Sequence, residues 1–184
     1  MNSKNHDWLS RRNEKTIDPE LQICDPHHHL WDLRNEFIQP RYLLDEFLSD
    51  TDSGHNIVKT VFIECGAMHK KNGPIHLRCL GETEFINGIA AMSSSGLYGS
   101  CRVAEAIIST APMLMDTKLV SEVLDKHLMI SPNRFKGIRY QATTHPDKKI
   151  PNSRINPPEG MYLSSKFRDS FKEINSRNLV FEAW

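Results

Sequence analysis

The sequence lacks the signatures of several common protein classes. Its 23 Lys and Arg residues balance 23 Asp and Glu residues, so no charge excess favours nucleic acid binding or an acidic disordered tail. No apolar run approaches the ~20 residues of a membrane-spanning helix. The polar N-terminus, MNSKNHDWLSRRNEK, has no apolar core of a secretory signal. These absences predict a cytoplasmic globular protein that binds neither nucleic acid nor membrane.

Cysteine spacing and glycine motifs exclude further classes. None of the four cysteines forms a C-x-x-C pair, which argues against a zinc knuckle and a thioredoxin-like motif. Cys24, Cys65 and Cys101 lie in apolar, strand-like runs, so we expect small, buried and reduced thiols. The chain also has neither a G-x-G-x-x-G turn after its first strand nor a G-x-x-x-x-G-K-[ST] loop. The sequence therefore contains neither motif that would indicate a nucleotide-binding sheet.

What the chain does contain is an alternation of strand-like and helix-like segments. Apolar or β-branched runs predict strands at 21–24, 58–65, 99–104, 135–140 and 179–184. Segments with helical periodicity lie at 41–50, 81–96, 118–130 and 164–177, with Asp116 or Thr117 and Ser164 or Ser165 as candidate N-caps. The Pro-rich stretch 145–160 reads as a long loop.

This alternation predicts an α/β fold with a parallel sheet, either an open doubly wound sheet or a barrel. A (β/α)₈ barrel typically needs ~250 residues, and this chain has 184 and stops in the strand-like run NLVFEAW. We therefore expect the N-terminal portion, about four and a half βα units, of a (β/α)₈ TIM barrel. Residues 1–20 are expected to form a polar extension, and residues 21–184 a domain truncated at its C-terminus.

The stretch ICDPHHHLWD at the end of the first strand carries the strongest chemical signal. Side chains alternate along a strand, so His27 and His29 point to one side and His28 to the other. Two imidazoles on one face suit a divalent metal ion. Asp25 lies on the same face and could orient a ligand. The alternative is that the histidines make ordinary loop hydrogen bonds or cluster by chance.

Several stretches, in order, resemble amidohydrolase-related proteins of the amidohydrolase 2 type. They are DPELQICDPHHHLWD, YLLDEFLSD, GHNIVKTVFIECGAMH, GETEFINGIAAMS, RFKGIRYQAT and LVFEAW. Members of that family are TIM-barrel hydrolases and include sugar lactonases and pyrone dicarboxylate lactonases. The resemblance covers nearly the whole chain and implies a metal-dependent hydrolase type of barrel.

The resemblance also implies roles for the histidines. In metal-dependent relatives the H-x-H pair, here His27 and His29, binds zinc or another divalent ion together with a His and an Asp from later strands. A metal-bound water then attacks a lactone, ester or amide carbonyl. This chain stops before those later segments, so we expect metal binding by this chain alone to be weak or absent. Some lactonase relatives also work without metal.

Two further residues are candidates for the substrate site. Glu64 ends the second strand, where it could orient a substrate or ligand or form a salt bridge. Arg139 ends the fourth strand, where it could grip a substrate carboxylate bidentately or form a structural ion pair.

For Trp31 and His127 we favour packing roles, with a wall of the pocket as the alternative for Trp31. His69 and His76 flank the loop after the second strand, and His145 begins the long loop after the fourth. For His69 and His145 we favour solvated loop positions, with the barrel mouth as the alternative.

The resulting hypothesis is a hydrolase of a small lactone or carboxylic ester, with uncertain activity as this chain alone. His27 and His29 would bind the metal, Asp25 would support them, and Arg139 and Glu64 would address the small-molecule substrate. One alternative is a metal-dependent decarboxylase of the same family. The other is an inactive or partner-dependent half barrel that self-associates through its exposed edges.

Overall fold

A computed structural model describes residues 14–147, 149–150 and 156–184, together with Trp8 and Arg11. The chain forms an α/β fold in which five parallel strands, ordered as in the sequence, curl into a half-barrel sheet. The strands are β1 (Gln22–His28), β2 (Asn56–Ile63), β3 (Arg102–Ser109), β4 (Phe135–Tyr140) and β5 (Val180–Ala183). The helices are α1 (Leu44–Thr51), α2 (Leu80–Ser94), α3 (Thr117–Ile130) and α4 (Ser165–Ser176), with short 3₁₀ turns at Ile75–Leu77 and Met161–Leu163.

The predicted alternation of strands and helices is confirmed, with two shifts in the strands. The third strand, predicted at 99–104, runs instead over Arg102–Ser109. Exposed Glu105 interrupts its apolar pattern, and Ala104 has a positive φ of 53° where the pairing with β2 is irregular. The first strand continues beyond Cys24 to His28. It therefore carries the first two histidines to the end of the sheet.

Two of the candidate N-caps are confirmed. The Asp116 side chain accepts a hydrogen bond from the amide of Lys118 at the start of α3. The Ser164 hydroxyl accepts one from the amide of Phe167 at the start of α4. Each satisfies one of the amides that a helix leaves unpaired in its first turn.

The core lies mainly between the sheet and the helices. One buried cluster joins β2 and β3 to α1 and α2, and a second joins β4 to α3 and α4. Fully buried members include Phe62, Ile86, Ile107, Leu124 and Ile138. Among the described residues, no helix is long and apolar enough to cross a membrane.

A glycine brings the last two strands together. A Cβ atom on Gly137 would lie 2.0 Å from the carbonyl oxygen of Val180, so only glycine permits this approach of β4 to β5. The resulting register places Arg139 directly opposite Glu182.

The cysteines follow the prediction except at one position. All four are free thiols; Cys65 and Cys101 are buried as expected, and Cys79 is buried as well. Cys24 is exposed instead, on a strand that pairs only with β2 among the described residues.

The proposed extension, residues 1–20, falls largely outside the described residues, as does part of the loop 145–160.

Candidate active site

Polar side chains collect where the parallel strands end. Because parallel strands bring their carboxyl ends to one rim of a sheet, residues from distant parts of the chain meet there. A cleft of about 580 Å³ opens at this rim. Its lining includes Arg34, Glu64, His69, Thr110, Arg139 and Gln141.

The two outer histidines of the triplet face each other beside this cleft. The Nε2 atoms of His27 and His29 are 3.2 Å apart, and the rings meet edge to face with centroids 4.9 Å apart. Their predicted common orientation is therefore confirmed. His29 Nδ1 lies 2.7 Å from the carbonyl oxygen of Ile63, which can only accept, so Nδ1 carries a proton. In the neutral ring, His29 Nε2 is then a lone-pair donor towards His27.

The central histidine points the other way, as predicted. His28 is 6% exposed, stacks on Phe47 of α1, and lies 2.8 Å from the hydroxyl of Thr60. The amide of Ala104 donates to that hydroxyl oxygen, which leaves the hydroxyl proton for His28 Nε2. Burial lowers the pKa of His28 to about 3, with a further contribution from His29. His28 is a neutral part of the core.

Asp25 acts on the backbone. Its Oδ1 accepts a hydrogen bond of 3.0 Å from the amide of His27 and so shapes the last turn of β1. This contact orients His27 through the main chain, whereas the predicted role was to orient a ligating ring by direct contact.

Arg139 is a deeply buried charge at the rim, at 1% exposure. Its Nη2 donates to Glu182 Oε1 at 2.5 Å and lies 3.1 Å from His27 Nε2. The guanidinium carbon lies 4.7 Å from the centre of the Trp184 ring. The structural ion pair therefore exists, and Arg139 also lines the cleft. Its Nε is buried and has no hydrogen-bond partner among the described residues.

Glu64 stands where the sequence places it, immediately after β2. It is 6% exposed, lines the cleft, and its amide donates to Ile108 of β3 at 2.7 Å. Its role towards a substrate stays a prediction.

The donor set fits a metal ion only in part. Two Zn–N bonds of about 2.0–2.1 Å at a tetrahedral angle would separate the nitrogens by about 3.3 Å, close to the observed spacing of His27 and His29. However, within the described ranges no three His, Cys, Asp or Glu side chains are grouped to hold a metal. The Arg139 guanidinium, 3.1 Å from His27 Nε2, would also compete with a cation for that lone pair. The described residues alone therefore do not form a catalytic zinc site.

The other histidines and Trp31 divide between structural and cleft positions. Trp31 stacks on Tyr42, and His127 is fully buried between Thr83 and the carbonyl of Thr110, so both are structural as expected. His76 lies 3.2 Å from Glu122, and His145 is exposed in its loop. His69 is exposed in its loop, as expected, and it also lines the cleft.

Two carboxylates of this region were not predicted. Glu182, next to the C-terminal Trp-containing run, pairs with Arg139 because the β4–β5 register sets them opposite each other. Glu82 begins α2 and is fully buried behind the cleft. The only sequence signal for Glu82 is a charge on what is otherwise the apolar side of a helix.

Comparisons with known proteins leave the activity open. No family model matches the chain, and no solved structure matches it. The uncharacterized protein y4mH of Sinorhizobium fredii is 26% identical over 181 residues, covering 89% of this chain and 53% of that protein. The chain thus spans about half the length of this curated relative.

Proposed function

We propose that the cleft binds a small lactone or carboxylic ester that carries a free carboxylate, and hydrolyses it. The observation that carries this proposal is Arg139. It is a buried guanidinium on the wall of a cleft, and its Nε donor has no partner among the described residues. A buried unpaired donor is costly, and a ligand carboxylate would satisfy it through a charge-assisted hydrogen bond.

The surroundings of Arg139 suit recognition of an anion. Glu182 and Trp184 hold the guanidinium from one side, which fixes its plane before a ligand arrives. Arg34 adds a second guanidinium to the cleft wall. Glu64 and Gln141 add polar side chains to the lining of the same cleft.

The imidazole pair supplies the polar chemistry next to the bound carboxylate. His29 Nδ1 donates to the carbonyl of Ile63, and Arg139 Nη2 lies beside His27 Nε2, so in the neutral rings both Nε2 atoms are acceptors. They can accept a hydrogen bond from a ligand hydroxyl group next to the bound carboxylate. Because the described donor set does not complete a metal site, no step of this proposal depends on a metal.

The test is a panel of γ- and δ-lactones offered to the purified chain, each with and without a carboxylate substituent. Ring opening releases acid, which a pH indicator follows in weak buffer. We expect hydrolysis of carboxylate-bearing members, with KM raised about tenfold or more by Arg139→Lys, because lysine cannot reproduce the planar fork. Neutral lactones should show no such dependence.

The matched control is Arg177→Lys, which alters another partly buried arginine held by Asp125 and Glu173 far from the rim. Equal KM values for Arg139→Lys and the wild type on every lactone would refute the proposal. Release of carbon dioxide from aromatic carboxylates, without lactone hydrolysis, would support the decarboxylase alternative.

A further inference from the structure

The loop after β2 is held on the start of α2 by a buried carboxylate. Glu82 is 0% exposed, and its Oε1 accepts hydrogen bonds from the amides of Cys65 at 2.9 Å and Ala67 at 2.8 Å. Two amide donors hold this carboxylate oxygen in one position. The loop that follows Glu64 is thereby tied to the helix behind it.

The same loop approaches the helix closely and in an uncommon backbone conformation. A Cβ atom on Gly81 would lie 2.2 Å from the carbonyl oxygen of Met68, so glycine is required there. Met68 itself has a φ of +54°, which costs a non-glycine residue of order 1 kcal/mol or more. The pair Gly81–Glu82 therefore secures a strained loop at a fixed position on the cleft.

The residue that this loop presents to the cleft is His69. Its Nε2 lies 3.7 Å from Glu82 Oε2, and its side chain is 38% exposed. Glu82 Oε2 is buried and has no hydrogen-bond partner among the described residues. A buried carboxylate on one side of an imidazole favours the tautomer that carries its proton on that side.

We propose that His69 is the proton-transfer residue of the cleft and that Glu82 is its positioning residue. This inference rests on the hydrolase proposed above. With Nε2–H directed at Glu82 Oε2, the Nδ1 lone pair is the basic atom. The separation of 3.7 Å has to shorten by less than 1 Å to form a hydrogen bond, a tightening common when a substrate binds.

Hydrolysis by His69 proceeds through addition of water and collapse of a tetrahedral intermediate. Water oxygen bonds to the substrate carbonyl carbon while one water proton passes to His69 Nδ1, and the carbonyl electron pair moves to its oxygen. When the tetrahedral intermediate collapses, the bond from carbon to the ring oxygen breaks. His69 then returns its proton to that departing oxygen. The sum is lactone plus water giving a hydroxy acid, with the imidazole unchanged.

Activity provides the first test. His69→Gln should lower kcat on a carboxylate-bearing lactone about 10²- to 10⁴-fold with little change in KM, because Arg139 still binds the carboxylate. Added imidazole should restore part of the turnover of His69→Gly. His76→Gln is the matched control, since His76 also faces a glutamate, Glu122 at 3.2 Å, outside the cleft. Wild-type kcat in His69→Gln would overturn the proposal.

The second test does not need turnover and isolates the charge of Glu82. In Glu82→Gln the amide oxygen can still accept from Cys65 and Ala67, while the amide group now donates towards His69. Long-range ¹H–¹⁵N spectra of the full chain should show His69 as the Nε2–H tautomer in the wild type. The variant should move it to the Nδ1–H form while its circular dichroism spectrum stays that of the folded wild type.

The two failures can be told apart. If no lactone is hydrolysed by the wild type, the proposed function fails, and the tautomer measurement still decides whether Glu82 controls His69. If the His69 tautomer is the same in the wild type and Glu82→Gln, the positioning role is wrong even if lactones are hydrolysed.

Discussion

Histidine side chains on the two sides of β1 lie in opposite environments, one buried and the other at the rim of the sheet. His28 is packed against Phe47 and hydrogen-bonded to Thr60 on the helix side of the sheet. His27 and His29, one residue away in either direction, meet at the rim beside Arg139. Only the helix side is sealed by apolar side chains, so imidazole contributes to stability there and is available for chemistry at the rim.

His127 on α3 extends the comparison to the second core cluster. Both of its ring nitrogens have partners, Thr83 at 2.9 Å and the carbonyl of Thr110 at 3.0 Å, and the ring stacks on Phe135. It lies close behind the cleft, yet its hydrogen bonds leave no nitrogen for a ligand. Proximity to the rim is therefore not sufficient for a chemical role.

The largest expected effect comes from truncating the two neighbouring histidines separately. His28→Ala removes a stacked, buried ring and should lower the free energy of unfolding by about 3–5 kcal/mol, as for other buried aromatic residues. His27→Ala, on the exposed side, should change it by less than about 1 kcal/mol. Urea denaturation followed by circular dichroism measures both. Equal losses of the free energy of unfolding in the two variants would contradict the contrast between His28 and His27.

Through His127 the free energy of unfolding should also depend on pH, by nearly as much as the loss expected in His28→Ala. Burial lowers its pKa to about 4, against about 6.5 in an unfolded chain. Between these values the unfolded state binds more protons, so stability is fully present above pH 6.5 and is lost as pH falls towards 4. The loss from His127 is on the order of 3 kcal/mol.

The check is urea denaturation at a series of pH values for the wild type and His127→Gln. The variant should be less stable at pH 7 but should lose less stability on acidification. His145→Gln, an exposed histidine in a loop, is the control and should follow the wild type. A wild-type pH slope retained in His127→Gln would contradict the assignment.

Thiol labelling tests the same contrast between exposed and buried side chains, and its expected effect on stability is smaller. Cys24 is exposed, whereas burial raises the pKa of Cys79 to about 12 and also raises that of Cys101. One thiol per folded chain should therefore react rapidly with a disulfide reagent, and the remainder only on unfolding. The rapid phase should vanish in Cys24→Ser; two or more rapid thiols would show that the core is open.

The smallest expected signal is the metal content of the purified chain. With two imidazoles and a competing guanidinium, we expect clearly less than one tightly bound zinc per chain. Elemental analysis after dialysis is the measurement. A full equivalent that disappears in the double variant His27→Ala, His29→Ala would show instead that the rim binds metal.

The features that could be predicted from the sequence follow from strict geometric periods. Strand alternation correctly separated His28 from its two neighbours. The common direction of parallel strands correctly brought Glu64 and Arg139 to one rim. Both inferences need only the strand positions, which apolar runs reveal.

The features that escaped prediction depend on how separate elements meet. The pairing of Arg139 with Glu182 requires the β4–β5 register, which the contact at Gly137 helps to set. The contact between Glu82 and His69 requires the path of the loop over Gly81. Neither distance is encoded in local periodicity, so side-chain partners across elements stay hidden until the chain is folded.

The order of the strands has a consequence for synthesis. Because β1 to β5 are neighbours in the sheet in the order in which they are made, each strand can pair with one that has already left the ribosome. The core around β1, β2 and β3 can therefore form early. Arg139 and Glu182 are made after these strands, so a nascent chain acquires this packed scaffold before it acquires the charged pair of its cleft.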